Sequence, residues 1–310
     1  MKQRSRVRNW SEYMLVQTLR LCFLFFPINM NLQSAKVIGW LWAKLMPRIY
    51  QRAIDNLTMA FGAERSEEEI KRLALRSMQN FAMTGVELMQ SPRLINRHTW
   101  HKYAELRNID EALELAIAGR PAIMVTGHFG NFELLGQLVA CFVGRFWGVV
   151  RLMDNPLIND YLVRTRSHTG LRLIFKKGAV EASEEVLRDR RFLGFLPDQN
   201  AGRKGVFVDF FGKKASTVKT VALLALEHDV PVIVGYCRRI GDRFHHELGI
   251  ERIIWPREWH DKEDAVFWIT QEYVHAIESY TRRWPEQYLW THRRWKTRPR
   301  EELLPAKTAP

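Results

Sequence analysis

Acidic residues are the first shortage in this 310-residue chain: 34 Asp plus Glu stand against 47 Lys plus Arg, leaving a net charge of +13. Such an excess rules out an acidic solvating protein and points to polyanionic partners, meaning nucleic acid, an anionic membrane or an acidic protein. Cysteine is scarce as well, with Cys22, Cys141 and Cys237 far apart in apolar surroundings. They build neither a disulfide framework nor a paired Cys-x2-Cys metal site, which suits a reducing compartment. The chain has no Gly-x-Ser-x-Gly elbow, no Walker loop and no dinucleotide glycine motif, so Ser-based hydrolysis and nucleotide chemistry have no anchor. The histidines supply no metal set either. His245 and His246 are neighbours that point to opposite strand faces, and His98 and His101 have no nearby carboxylate or cysteine to complete a site.

Uninterrupted apolar runs are also missing. A spanning helix wants about 20 mostly apolar residues. The N-terminal apolar stretch is broken by Gln17, Thr18 and Arg20 and bent at Pro27, with Lys2, Arg4, Arg6 and Arg8 ahead of it. The pattern predicts a membrane-embedded or interfacial helix over residues 1–30, its basic end on the cytoplasmic side. No small-residue cleavage site follows it, which argues against a secretory signal. Residues 31–300 then form the main domain and 301–310 a polar tail.

What is present is a 46% hydrophobic chain, enough for a full core. Residues 33–60 read as helix with a broad apolar face, and Ser66-Glu67-Glu68-Glu69 is a capping box opening a helix to about Gln90. Asn108 is placed to cap a short helix ended by Gly119. From there strands and helices alternate, with strands expected at 121–126, 146–152, 172–175, 192–196, 206–210, 230–237 and 245–250. Helices fit at 156–168, 179–189, 217–228 and 262–283. The alternation predicts an α/β fold, a mixed, mostly parallel central sheet flanked by helices.

The stretch that organises the rest is Thr126-Gly127-His128-Phe129-Gly130-Asn131-Phe132-Glu133. An apolar strand runs into a glycine turn and then into a helix, the junction where α/β folds place their chemistry. Five positions along a regular helix lie about 140° apart, so His128 and Glu133 would not meet if both were helical. With His128 in the turn and Glu133 in the first helical turn, their side chains converge. A carboxylate beside imidazole favours its charged form and fixes its tautomer, as a general base for a hydroxyl requires.

Three further blocks follow in order: Val150-Arg151-Leu152-Met153-Asp154-Asn155-Pro156, then Leu196-Pro197-Asp198-Gln199-Asn200, and Pro285 to Trp295 with its alternating aromatics and cations. Together with the His-x4-Glu stretch they resemble the bacterial late acyltransferases of lipid A biosynthesis, over nearly the whole chain. The resemblance implies a glycerol-3-phosphate-acyltransferase-like fold and O-acyl transfer from acyl carrier protein to a phosphorylated glucosamine lipid, at the cytoplasmic face of the inner membrane. It makes His128 the base and Glu133 the group that steadies its imidazolium. Arg151 and Arg166 become candidates for phosphate binding. Asp198, at a strand end with Gln199, either orients His128 in addition to Glu133 or binds a substrate hydroxyl. No cofactor or metal is implied, since the thioester carries the driving force. The 196–200 block lacks the proline-glutamate-glycine sequence of the glycerol-phosphate enzymes, which sets that branch apart.

Two other readings compete. A lysophospholipid or other glycolipid acyltransferase would have the same site and another acceptor. A non-catalytic basic protein could use Trp284, Tyr288, Trp290 and Trp295 to stack bases; the same residues suit a headgroup interface, and the N-terminal helix favours membrane over nucleic acid.

Overall fold

A computed structural model describes residues 5–144, 146–175 and 178–303. Four helices come first: α1 (Arg6–Leu24), α2 (Ile28–Leu45), α3 (Pro47–Phe61) and α4 (Glu67–Leu94). Pro27 and Pro47 set the breaks, because proline cannot donate within a helix and is tolerated at its first turn. The apolar stretch expected to continue over 33–60 is therefore two helices. Ser66 and Glu69 form the expected capping box on α4.

The main sheet has seven strands in the order β1 (Ala104–Arg107), β9 (His246–Ile254), β8 (Val232–Arg239), β2 (Ala122–Val125), β5 (Phe192–Phe195), β3 (Phe146–Val150), β4 (Arg172–Phe175). Within it only the β8–β9 pair is antiparallel. This is the mixed, mostly parallel sheet expected from the alternation. Helices α5 (Asp110–Ile117), α6 (Phe132–Val143), α7 (Pro156–Ser167), α8 (Ala179–Arg188), α9 (Thr220–His228) and α10 (Ala265–Arg283) lie between and over the strands. Two apolar clusters result, one on each sheet face, around Leu193, Val234 and Ile277 on one side and Leu138, Ile233 and Leu248 on the other.

Several local expectations fail for physical reasons. Residues 206–210 do form a strand, β6 (Val206–Phe210), but it pairs only with β7 (Lys213–Thr217) in a hairpin outside the main sheet. Asn108 does not cap α5; it takes the left-handed turn before it at φ 52°, and Ile109 occupies the cap position. The aromatics at the C-terminus are structural: Tyr288 and Trp290 are buried, and Trp284 and Trp295 are half-buried against the core. These four residues leave no row of exposed rings to stack on bases.

At the N-terminus, no helix among the described residues is long and apolar enough to cross a membrane. Yet Trp10, Met14, Leu15 and Leu19 on α1, and Val37, Ile38, Trp40 and Leu41 on α2, are exposed. A patch of that kind is rare on a freely soluble surface.

Candidate active site

Strands β2 and β5 run parallel in register, with Val125 opposite Phe195. His128 and Asp198 each stand three residues beyond that pair, so the two chains leave the sheet together and deliver both side chains to one spot. The contact is close. Asp198 Oδ1 lies 2.6 Å from His128 Nδ1, and Asp198 Oδ2 accepts the His128 main-chain N–H at 2.7 Å. With Nδ1–H donated to the carboxylate, Nε2 keeps its lone pair. The Gln199 side-chain nitrogen donates toward it at 3.2 Å.

The turn between β2 and α6 is held from all sides. Gly130 has φ 54°, and a Cβ there would sit 2.0 Å from the Cys237 carbonyl, so only glycine fits. The Gly127 N–H donates to Tyr280 Oη, the Phe129 N–H to Gly127 O, the Gly130 N–H to Gln287 O and the Asn131 N–H to Cys237 O. The main-chain amides of this turn are thereby all engaged. The Leu289 N–H also donates to His128 O at 2.9 Å, tying the C-terminal segment across the turn.

Glu133 sits in the first turn of α6, as expected, but its carboxylate is committed elsewhere. Arg166 on α7 donates to both of its oxygens, at 2.7 and 2.6 Å. The carboxylate that touches the imidazole is Asp198, and Glu133 acts on His128 only through its charge. Arg166 is correspondingly not a free cation awaiting phosphate. Arg151, one residue past β3, is exposed and has no carboxylate partner among the described residues.

Burial pulls the His128 imidazolium toward deprotonation. The charge and hydrogen bond of Asp198, with the charge of Glu133, outweigh it and raise the pKa above the usual 6.5. Asp198 is likewise pushed up by burial, but the His128 charge and hydrogen bonds hold it at about 2.

His128, Glu133, Arg151, Arg166 and Gln199 ring the entrance of a cavity of about 400 Å³. Its deeper wall is apolar: Met124, Leu135, Phe146, Leu171 and Leu173, with glycines at 136, 148 and 194. The glycines make the space and two side chains limit it. A Cβ on Gly194 would lie 2.6 Å from Phe146 Cζ, and one on Gly136 3.1 Å from Leu171 Cδ2. A second hollow of about 480 Å³ under α2 and α4 is lined mostly by polar groups and holds none of the residues at the C-terminal ends of β2 and β5.

One cluster escaped the sequence reading. Glu87 on α4 is fully buried and paired with buried Arg239 at 2.7 and 2.6 Å, while Asn131 Nδ2 donates to it at 2.6 Å. Asn80 and Thr84, from the same helix, both donate to Gly130 O. The network fixes the turn from below. Its trace in the sequence is a glutamate placed among Met83, Val86 and Leu88, where an amphipathic helix should be apolar.

A mostly parallel α/β sheet with an oriented histidine at its strand ends, beside a cavity with an apolar wall, is an arrangement able to activate a hydroxyl next to an apolar chain. Comparison with known proteins narrows this class. Residues 1–297 match the model of the bacterial lipid A biosynthesis acyltransferase family, and the chain belongs to that family. It is an acyltransferase. It is 26% identical over 272 residues to the lipid A biosynthesis lauroyltransferase of Escherichia coli (strain K12), covering 84% of each chain. It is 27% identical over 277 residues to the lipid A biosynthesis palmitoleoyltransferase of the same organism, covering 84% of this chain and 83% of the other. It is also 27% identical over 225 residues to the phosphatidylinositol mannoside acyltransferase of Mycolicibacterium smegmatis, over 66% of this chain and 74% of the other.

Proposed function

We propose that this protein moves a fatty acyl chain from the thioester of acyl carrier protein to a hydroxyl of a phosphorylated glucosamine lipid of the lipid A type. The observation that carries this reading is the His128–Asp198 pair, which in the neutral imidazole places the lone pair on Nε2, beside an apolar cavity. Nε2 takes the proton of the acceptor hydroxyl as its oxygen attacks the thioester carbonyl. The tetrahedral intermediate collapses by breaking the C–S bond, and the imidazolium returns the proton to the departing thiolate. The products are an ester and the free carrier thiol.

Negative charge on the tetrahedral oxygen needs donors. Since the amides of residues 127–131 are engaged, the donors are the Gln199 amide and the Arg151 guanidinium at the cavity rim. Asp198 orients the base. The Glu133 carboxylate adds a negative charge near the imidazolium, and its pair with Arg166 helps wall the cavity. The acyl chain takes the apolar depth of the cavity, whose volume lies in the ~300–1,000 Å³ range of small-molecule sites. The exposed apolar faces of α1 and α2 seat the enzyme in the interface of the inner membrane, on its cytoplasmic side.

The test is direct. His128→Ala in detergent-solubilised enzyme lowers transfer from acyl carrier protein to a lipid A precursor by roughly 10²- to 10⁴-fold, the contribution of a positioned base. Wild-type turnover in that variant sinks the assignment. The similarity to a phosphatidylinositol mannoside acyltransferase favours a second acceptor class, other glycolipids, over the same site. Transfer to such an acceptor, with none to the lipid A precursor, would select it.

A further inference from the structure

Immediately after Asp198 and Gln199 the chain enters a module that contacts the active-site rim without contributing a reacting group. It consists of the turn 200–205, the β6–β7 hairpin and residues 291–300. Asn200 and Thr297 exchange hydrogen bonds at 3.1 and 3.3 Å, the Ala201 N–H donates to Ser216 O, and Arg298 Nη1 donates to Lys214 O at 2.6 Å. Buried Arg294 joins the pieces, donating to Ser216 O at 2.7 Å and Thr217 Oγ1 at 2.6 Å. The module is therefore rigid and anchored within four residues of the group that faces His128 Nε2.

Its charge is one-sided. Arg203, Lys204, Lys213, Arg293, Lys296 and Arg300 are all exposed, and Asp209 is the single carboxylate of residues 199–217 and 291–300. Asp209 is taken by Lys214 at 2.7 Å. Among the described residues none of the six cations has an ion-pair partner. Exposed Glu301 and Glu302 follow the module, and Glu302 is taken by Arg298; six exposed cations without ion-pair partners still outnumber them, which favours an external anion.

Surface chemistry separates two kinds of anion. The module exposes no large apolar side chain, whereas α1 and α2 expose many. Insertion into a lipid interface needs both apolar and basic groups, so the membrane belongs to the helices and the module is left for a soluble partner. Helix α1 approaches the cavity at another point: Asn155, which caps α7 two residues past the cavity-lining Met153, donates to Asn9 O and to Glu12 on α1.

We propose that this cationic module is the docking surface for the acidic carrier protein that brings the acyl thioester, the lipid acceptor arriving from the α1 side. The proposal rests on the donor reading above and adds where that donor binds. Docking here leaves the carrier's pantetheine arm with only the short distance past Gln199 to cover before its thioester meets His128.

The test uses the full-length detergent-solubilised enzyme and three charge reversals together, Arg203→Glu, Lys213→Glu and Lys296→Glu. Transfer is measured from acyl carrier protein and from S-acyl-pantetheine, which carries the reactive end of the arm without the protein or its phosphates. The expected result is a KM for the carrier raised about tenfold or more, within the range that electrostatic steering supplies, with kcat unchanged and with S-acyl-pantetheine kinetics unchanged. A wild type whose carrier KM rises with salt, and a variant whose KM no longer does, completes the signature. If the wild type uses the carrier and the variant matches it, the surface is wrong while the donor reading stands. If the wild type ignores the carrier, the donor reading itself fails. A variant that keeps carrier kinetics but sediments less with phosphatidylglycerol vesicles would assign the module to the membrane and overturn the proposal.

Discussion

Asp198→Asn is the sharpest perturbation, because it keeps the shape of the side chain and changes its chemistry at two measured contacts. Asp198 accepts from His128 twice, through Oδ1 at 2.6 Å and Oδ2 at 2.7 Å. An asparagine can still accept the main-chain N–H through its oxygen, and its NH2 then faces Nδ1. Nδ1 must become the acceptor, so the ring proton moves to Nε2, where the base should be. A hydrogen bond to a charged group is worth about 1.5–3 kcal/mol, which alone accounts for roughly a tenfold to hundredfold loss at about 1.36 kcal/mol per decade. The wrong tautomer adds more, and in Ser-His-Asp triads the same exchange lowers turnover by about 10⁴-fold. The expected loss in kcat is therefore about 10³- to 10⁴-fold, with a modest fall in melting temperature because buried Arg294 loses the Asp198 charge that offsets part of its burial. The assay is thiol release from the acyl carrier protein with mass spectrometry of the lipid product. Wild-type turnover in the asparagine variant would refute the role of Asp198 in orienting the base.

Three further outcomes are expected. Wild-type kcat/KM falls as pH drops, with a midpoint above 6.5, because His128 works unprotonated and its pKa is raised; Glu133→Gln, which removes one of the charges that raise it, moves that limb to lower pH and lowers activity less than Asp198→Asn. Phe146→Ala deepens the apolar cavity, so lipid products shift to longer acyl chains, read by mass spectrometry against a panel of carrier thioesters. Arg239→Met leaves the buried Glu87 carboxylate without its cation and costs about 3–5 kcal/mol, measured from denaturant midpoints; an unchanged midpoint would show the pair to be dispensable.

The strand–turn–helix at 121–136 was legible because its signals are local: an apolar run, two turn glycines (Gly127 and Gly130) and a helix N-terminus within sixteen residues. The choice of carboxylate was not. His-x4-Glu draws the eye to Glu133 by proximity in sequence, while Asp198 reaches His128 only through the register of β2 on β5, seventy positions away. Arg166 could be seen as a candidate, but its commitment to Glu133 depends on how α7 crosses α6. The short β1, with Ala104 alone buried, has too little pattern to be read, and β7 opens on two lysines that resemble a loop. Aromatic residues between cations at the C-terminus looked like a binding face; burial of Tyr288 and Trp290 shows that composition does not reveal which side of a segment faces inward.

The bond from the Leu289 N–H to His128 O has a consequence for how the enzyme comes to life. The turn that carries His128 is completed by residues made some 160 positions later, a contact whose loop-closure entropy makes it slow to form. Synthesis proceeds from the N-terminus, so α1 and α2 emerge long before residues 285–298. The helices proposed to meet the lipid are thus available while the turn is still open, and His128 acquires its final geometry only after the last segment has folded back. A chain that stops short of residue 285 would bind where the whole enzyme binds and transfer nothing.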